Sequence, residues 1–323
     1  MAYDRTVFLP IDPDAAFDLV TQPERLRRWC AISARVDLKI GGEFCWTITP
    51  RNYAIGNFTE IEPGKHVSFT FGWVNDPTLQ PGASKITVTF EPYKEGTNLR
   101  LVHEGLTEHQ EVEHAEGWNY FLDRLVQFVT TSKVTVDPWN ASPDNLDELK
   151  SADVALSLAQ VTLCNVKSSD LLKSTPCTEF NVQQLIDHQY GSIVSIAKSL
   201  GIPATAGADA SFEVRLADLS QKVIETFSKR GLEGTLTLGT NELPAKIVAN
   251  ILNIELLIHA IDIAKATGQD YLVSPAVADY VLSLSRQTIS PEGRAAGLFG
   301  PEISVPDSAE NTERLLAFSG RKS

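Results

Sequence analysis

The sequence predicts an α+β chain of two parts, an antiparallel sheet wrapped over one long helix and then an all-helical bundle. Three observations predict it. Apolar residues recur with a period of two up to about residue 103 and with a helical period from about residue 146 onward. All five tryptophans (Trp29, Trp46, Trp73, Trp118, Trp139) fall in the first 139 residues, whereas the rest is rich in Ala, Leu, Ile and Ser. And 323 residues with 43% hydrophobic content can fill about two separate cores.

The elements follow in order. Thr6 to Pro10 reads as a short strand, Asp12-Pro13 caps a helix through Val20, and a second helical stretch runs from Pro23 to Trp29. Three one-face-buried strands come next: Phe44, Trp46 and Ile48 alternate with Cys45 and Thr47; Val67, Phe69, Phe71 and Trp73 with Ser68, Thr70 and Gly72; Ile86, Val88 and Phe90 with Thr87 and Thr89. Leu99 and Leu101, with His103 in phase, make a further strand. Gly41-Gly42, Pro63-Gly64, Pro81-Gly82 and Glu95-Gly96 mark the turns. The closing helix, Glu108 to Thr130, carries Trp118, Leu122, Leu125 and Val126 near one face. Residues 1–132 form the first domain and 133–149 a linker, with Asp144 or Asn145 placed to cap the next helix. The second domain, 150–323, has helices over about Leu146 to Val166, Val182 to Leu200, Leu216 to Lys229, Leu243 to Thr267 and Pro275 to Thr288. A short strand or hairpin arm lies at Gly234 to Gly239. Modest loops argue for an antiparallel bundle.

The formal net charge of -13 argues against nucleic acid or an anionic membrane surface as partner, since both require a concentrated basic face. Met1 to Phe17 holds charges and a proline where a signal peptide needs an apolar run, and no stretch approaches ~18 uninterrupted apolar residues. A soluble, cytoplasmic protein is expected. Cys30, Cys45, Cys164 and Cys177 contain no CxxC spacing and read as small buried apolar residues.

The chemistry concentrates in Ile247 to Ala266, where Glu255 and His259 share one face of a helix that is apolar nearly all round. A carboxylate and an imidazole buried there need partners. They either pair with each other or hold a metal ion. His188 is the candidate third ligand, on a helix that opens with the capping box Asn181 and Gln184 and stops at Gly201-Ile202-Pro203. A His2Glu set leaves a tetrahedral zinc one open position, the pattern of a catalytic site. Imidazoles favour zinc, with nickel as the alternative. Asp262, one turn on, would support a ligand or take a coordination place itself. Arg294 and Arg321 could meet an anionic substrate, but two arginines near a terminus read rather as surface residues. No residue is identified as a general acid, so the catalytic residues stay unknown.

Two resemblances add to this reading. Gly41-Gly42-Glu43-Phe44, Ile61-Glu62-Pro63-Gly64-Lys65, Val88-Thr89-Phe90-Glu91-Pro92 with Gly96-Thr97, and Glu116-Gly117-Trp118 resemble the SRPBCC or START-like superfamily, in the branch of homologues of the heat-shock-protein ATPase activator. That implies a helix-grip fold with a cavity for an apolar ligand. Phe44, Trp46, Phe69, Phe71, Leu99, Leu101, Trp118 and Leu122 would line this cavity or fill it as core, and His103 would stand at its mouth. Thr175-Pro176-Cys177-Thr178-Glu179-Phe180-Asn181-Val182 with Leu185 and His188, Glu255 to Gly268, and Phe299-Gly300-Pro301-Glu302 with Arg314 to Arg321 resemble an actinobacterial, metal-binding branch of the DinB-like superfamily. Phe180 and Ile261 stand where that branch commonly has Trp. The branch is related to the mycothiol-dependent maleylpyruvate isomerases, which implies metal ligands at His188, Glu255 and His259. The expected function is a metal-dependent transferase or isomerase using a low-molecular-weight thiol such as mycothiol on a small hydrophobic or electrophilic molecule. The alternative is a non-catalytic binder of a small hydrophobic ligand, or a chaperone partner, with a structural metal. The oligomeric state is left open.

Overall fold

Alternating apolar and polar residues build a seven-stranded antiparallel sheet from β1 (Ala2–Leu9), β2 (Ser33–Val36), β3 (Glu43–Thr49), β4 (Asn52–Glu62), β5 (His66–Trp73), β6 (Ser84–Tyr93) and β7 (Gly96–Glu104). The order is β1-β7-β6-β5-β4-β3-β2: a meander from β2 to β7, with β1 laid beside β7. Helices α1 (Pro13–Thr21) and α2 (Pro23–Leu26) join β1 to β2. Asp12 caps α1 by accepting from the Ala15 amide at 2.9 Å, with Pro13 at the first helical position. Helix α3 (Glu108–Thr131) buries Trp118, Phe121, Leu122 and Leu125 in the same core as the sheet's inward residues. The computed structural model describes residues 2–204, 210–295 and 297–321. The outer ends of the two expected domain ranges, Met1 and Ser323, lie outside the described residues. Contacts divide the chain into two compact units, Met1–Thr135 and Val136–Ser323.

Three strands differ from the sequence expectation, and β2 has no counterpart in it at all. Strand β1 begins at Ala2 rather than Thr6, because Tyr3 donates to Asn119 Oδ1 at 2.8 Å and Arg5 pairs with Asp123 at 2.5 Å, tying its first half to α3. Strand β4 has no counterpart in the apolar pattern, since its inward positions hold Ala54 and Gly56 before Phe58. A Cβ on Gly56 would stand 1.7 Å from the Thr70 carbonyl oxygen and 2.8 Å from the Phe44 ring. Close approach of β5 therefore requires glycine where alternation would place a large residue.

The second unit is helical: α4 (Pro138–Ala141), α5 (Glu148–Cys164), α6 (Val182–Ser199), α7 (Phe212–Arg230), the hairpin β8 (Thr235–Leu238) and β9 (Asn241–Pro244), then α8 (Ala245–Thr267), α9 (Pro275–Thr288), α10 (Pro291–Ala295) and α11 (Asn311–Phe318). Within the expected linker, Asp137 accepts from the Trp139 amide at 3.0 Å and starts the single turn α4. The cap of α5 is Asp147, accepting from the Leu149 and Lys150 amides, rather than Asp144 or Asn145. Helix α7 starts at Phe212, four residues before Leu216, because Ser211 caps it by accepting from Val214. The pair α5 and α8 runs parallel rather than antiparallel. Asn253 donates to the Glu148 carbonyl at 2.9 Å and Gln269, sixteen residues on, to the Thr162 carbonyl, fourteen residues on, at 3.1 Å, so the two helices run in the same direction. Helix α8 is apolar and long enough to cross a membrane, a property that counting uninterrupted apolar runs passes over. Its most apolar window is 89% buried, as in the central helix of a helical core.

Candidate metal centre

Helix α6 places His188, and its start is set locally. Asn181 Oδ1 accepts from the Gln184 amide at 2.9 Å while Gln184 Oε1 accepts from the Asn181 amide at 3.0 Å, a complete capping box. Gln189 then donates from Nε2 to the Glu255 carbonyl at 2.9 Å, fixing α6 against α8 where the next residue back, His188, faces Glu255. On α8, the four-residue spacing brings Glu255 and His259 onto that same face. His188 Nε2 lies 3.6 Å and His259 Nε2 3.5 Å from Glu255 Oε2. One ligand atom from each of the three residues lies within 4.8 Å of the others. Phe180 stacks on the His188 ring at 5.0 Å and 23°, covering one imidazole face. His188 keeps 40% of its side chain exposed, against 10% for Glu255 and 6% for His259, so the group opens to solvent on the His188 side.

Each ligand atom has a reason to face inward. Asp262, fully buried, places Oδ2 3.2 Å from His259 Nδ1. An imidazole donating from Nδ1 to that carboxylate presents the Nε2 lone pair to Glu255. Asp262 thus engages the far nitrogen of a candidate ligand and does not stand in the three-residue group itself. Burial would push the Glu255 carboxyl up, but the imidazoles of His259 and His188 outweigh it and hold the group below the ordinary carboxylate value. Burial pulls His259 down, and the Asp262 and Glu255 carboxylates more than reverse this. Burial holds His188 low despite the attraction of Glu255. Glu255 is therefore a buried anion, yet its Oε2 has no hydrogen-bond partner.

That orphaned oxygen tests whether these residues fit a metal. Two ligands about 2.0–2.1 Å from a tetrahedral ion stand about 3.3–3.4 Å apart. The 3.5 and 3.6 Å separations here come close to that spacing and are long for hydrogen bonds. The donor types, two imidazoles and a carboxylate, are those of a His2Glu site.

Sequence reasoning missed Arg321 in this neighbourhood. It is not a surface residue: it is 7% exposed, and its Nε lies 3.2 Å from Asp262 Oδ2. The signal was the glycine before it, which allows the chain to turn back after α11. Arg294 is half-buried and donates to the Phe318 carbonyl at 2.6 Å. Cys30 and Cys45 are buried and Cys164 and Cys177 intermediate, and none of the four is joined in a disulfide.

In the first unit, Phe44, Trp46, Phe69, Phe71, Leu99, Leu101, Trp118 and Leu122 all belong to the buried core. Phe44, Trp46 and Phe69 meet with ring centroids 4.5 to 5.5 Å apart. His103 lies inside the unit rather than at a mouth, with no exposed surface. Its Nδ1 accepts from the Trp118 indole at 3.1 Å, so Nε2 carries the proton toward Ser84 Oγ at 2.8 Å. Burial first, and His114 second, push its pKa down to about 3. His114 is arranged alike: Trp73 donates to its Nε2 at 3.1 Å, and its Nδ1 lies 2.8 Å from the Gln110 carbonyl.

Comparison with known proteins bears on the two units unequally. Residues 10–130 match the family described as Activator of Hsp90 ATPase homolog 1-like protein. An uncharacterized protein of Mycobacterium tuberculosis, Rv0738, is 28% identical over 179 residues, which is 54% of this chain and 98% of the relative. That alignment is longer than the first unit and therefore reaches into the second. Among solved structures, DynU16, a protein in the dynemicin biosynthetic locus, is 18% identical with a TM-score of 0.39, the match covering 43% of this chain and 51% of DynU16. This chain thus spans about half of DynU16. PFC0360w, an Hsp90 activator from Plasmodium falciparum, is 24% identical with a TM-score of 0.33, covering 40% of this chain and 96% of that one. The first unit is a helix-grip domain similar to the Activator of Hsp90 ATPase homolog 1-like proteins.

Proposed function

We propose that the second unit is a DinB-like bundle holding one divalent metal ion, zinc or alternatively nickel, through His188, Glu255 and His259. The protein on this reading is a metal-dependent transferase or isomerase that employs a low-molecular-weight thiol such as mycothiol. The observation that carries the proposal is Glu255 Oε2, buried, without a hydrogen-bond partner, and 3.6 and 3.5 Å from the His188 and His259 Nε2 atoms. A bound ion would supply a Lewis acid that lowers the pKa of a coordinated thiol or water. The chain's own residues do the rest. Asp262 holds His259 in the Nδ1–H form, Phe180 fixes the plane of His188, and the partly exposed edge of His188 leaves a route for a small molecule. The first unit would recruit the hydrophobic or electrophilic substrate.

Cobalt substitution tests this. Titrating the cobalt protein with mycothiol, cysteine and coenzyme A should produce a sulfur-to-cobalt charge-transfer band with at least one of them. An unchanged spectrum across all three would remove the thiol from the mechanism.

A second reading has its own observation. The Trp46 indole N–H is buried in the aromatic core of the first unit without an acceptor. It favours a small, mainly apolar ligand with one acceptor atom, bound by a non-catalytic protein whose metal is structural. Chaperone contact, the activity for which the Plasmodium protein is named, is a further form of this reading. Quenching or shifting of tryptophan emission by such a ligand, abolished in Trp46→Phe, would support it.

A further inference from the structure

Helix α11 ends in a Schellman turn. The Arg321 amide donates to the Leu316 carbonyl at 2.9 Å and the Gly320 amide to the Ala317 carbonyl at 3.0 Å. Gly320 has a φ of 83°, and a Cβ there would stand 2.7 Å from Gly300 Cα. Only glycine makes both the left-handed turn and the close approach. The turn sends Arg321 inward. Its Nη1 donates to the Ser319 carbonyl at 2.7 Å, its Nη2 lies 3.8 Å from Cys177 Sγ, and its Nε lies 3.2 Å from Asp262 Oδ2. The same Oδ2 stands 3.2 Å from His259 Nδ1. Asp262 is fully buried, and a carboxylate in such a place requires a cation. The only Arg or Lys ion-paired with it among the described residues is Arg321.

We propose that Arg321 is a positioning residue of the centre on α6 and α8. By holding Asp262 it fixes the His259 ring with Nδ1–H turned away and Nε2 turned toward Glu255 and His188. The effect on metal binding rests on the metal-centre reading above; the ring orientation does not. The segment that follows α11 thereby becomes part of a site whose three candidate ligands all precede residue 260.

Cobalt affinity and imidazole nitrogen NMR on the full-length protein test this together. Arg321→Ala should weaken cobalt binding about 10- to 100-fold, the range found when an outer partner of a metal ligand is lost. Arg321→Lys, which keeps the charge, should recover part of it. Asp262→Asn should weaken binding as well, and the double variant should be no weaker than the poorer single one, because both act through one contact. In the metal-free parent, at a pH where the ring is neutral, His259 should show a single Nδ1–H tautomer, and Arg321→Ala a mixture. If Arg321→Ala fails to fold, Arg321→Lys and Asp262→Asn carry both measurements. Parental affinity and a parental tautomer in the variants, or fully additive losses, would overturn the proposal. A parent that takes up no cobalt defeats the metal reading alone, and the tautomer measurement then decides the role of Arg321.

Discussion

Each unit brings two histidines together, one of each pair buried, and the two pairs are finished in opposite ways. In the first unit His103 Nδ1 and His114 Nε2 each accept an indole N–H, from Trp118 and Trp73, and the other nitrogens face Ser84 Oγ and the Gln110 carbonyl. Each of these ring nitrogens thus has an uncharged hydrogen-bond partner. In the second unit His188 and His259 turn nitrogens toward a buried carboxylate oxygen that no hydrogen bond satisfies. Buried imidazole is therefore no sign of chemistry by itself. What distinguishes the second pair is a buried carboxylate oxygen, without a hydrogen-bond partner, standing 3.5 and 3.6 Å from two imidazole nitrogens.

The sharpest way to break this comparison is to exchange charge for shape in each unit. Glu255→Gln keeps the volume of the side chain and removes the anion, and should lower metal affinity by more than about 100-fold. His103→Gln in the first unit should leave metal content unchanged. Equal metal content in all three proteins, by elemental analysis, would erase the distinction.

Acid should act on the first pair through linkage. His103 has its pKa pushed from 6.5 to about 3 in the folded unit. Its contribution to stability is thus complete above the unfolded value and is lost as pH falls toward the folded one. The loss is about 1.4 kcal/mol per pH unit below about 6.5. Denaturant unfolding at pH 7, 6 and 5 should show this slope in the parent, reduced by that amount in His103→Gln. Identical slopes would mean that His103 is not held neutral.

Smaller effects sharpen the picture. Ser84→Ala leaves the His103 Nε2–H without its 2.8 Å partner and should cost the first unit about 1–3 kcal/mol in denaturant unfolding. Asn181→Ala removes one half of the capping box that starts α6 and should cost about 1 kcal/mol by thermal unfolding. A neutral result there would mean that tertiary contacts alone position His188.

Legibility in the sequence followed how local each determinant is. His188, Glu255 and His259 could be singled out because a capping box and a four-residue spacing are read along the chain, and the structure brings these three side chains together. The alternating strands β3, β5, β6 and β7 were visible for the same reason. Strand β4 was hidden because the fold needs Ala54 and Gly56 at its inward positions, where packing erases the apolar pattern. Arg321 was misread because its burial depends on a turn at Gly320 fitting against Gly300, twenty residues away. His103 was placed at a mouth because its partners, Ser84 and Trp118, are supplied by a neighbouring strand and by α3. The parallel pairing of α5 with α8 was beyond reach of loop lengths, since these helices are not successive.

The most direct test is the metal content of protein purified without an affinity tag or chelator, measured by elemental mass spectrometry beside His188→Ala and Glu255→Ala. About one equivalent of zinc or nickel per protein molecule in the parent, lost in both variants, is the predicted result. A parent that is metal-free and cannot be reconstituted with either ion would contradict the metal centre and leave a two-unit ligand-binding protein.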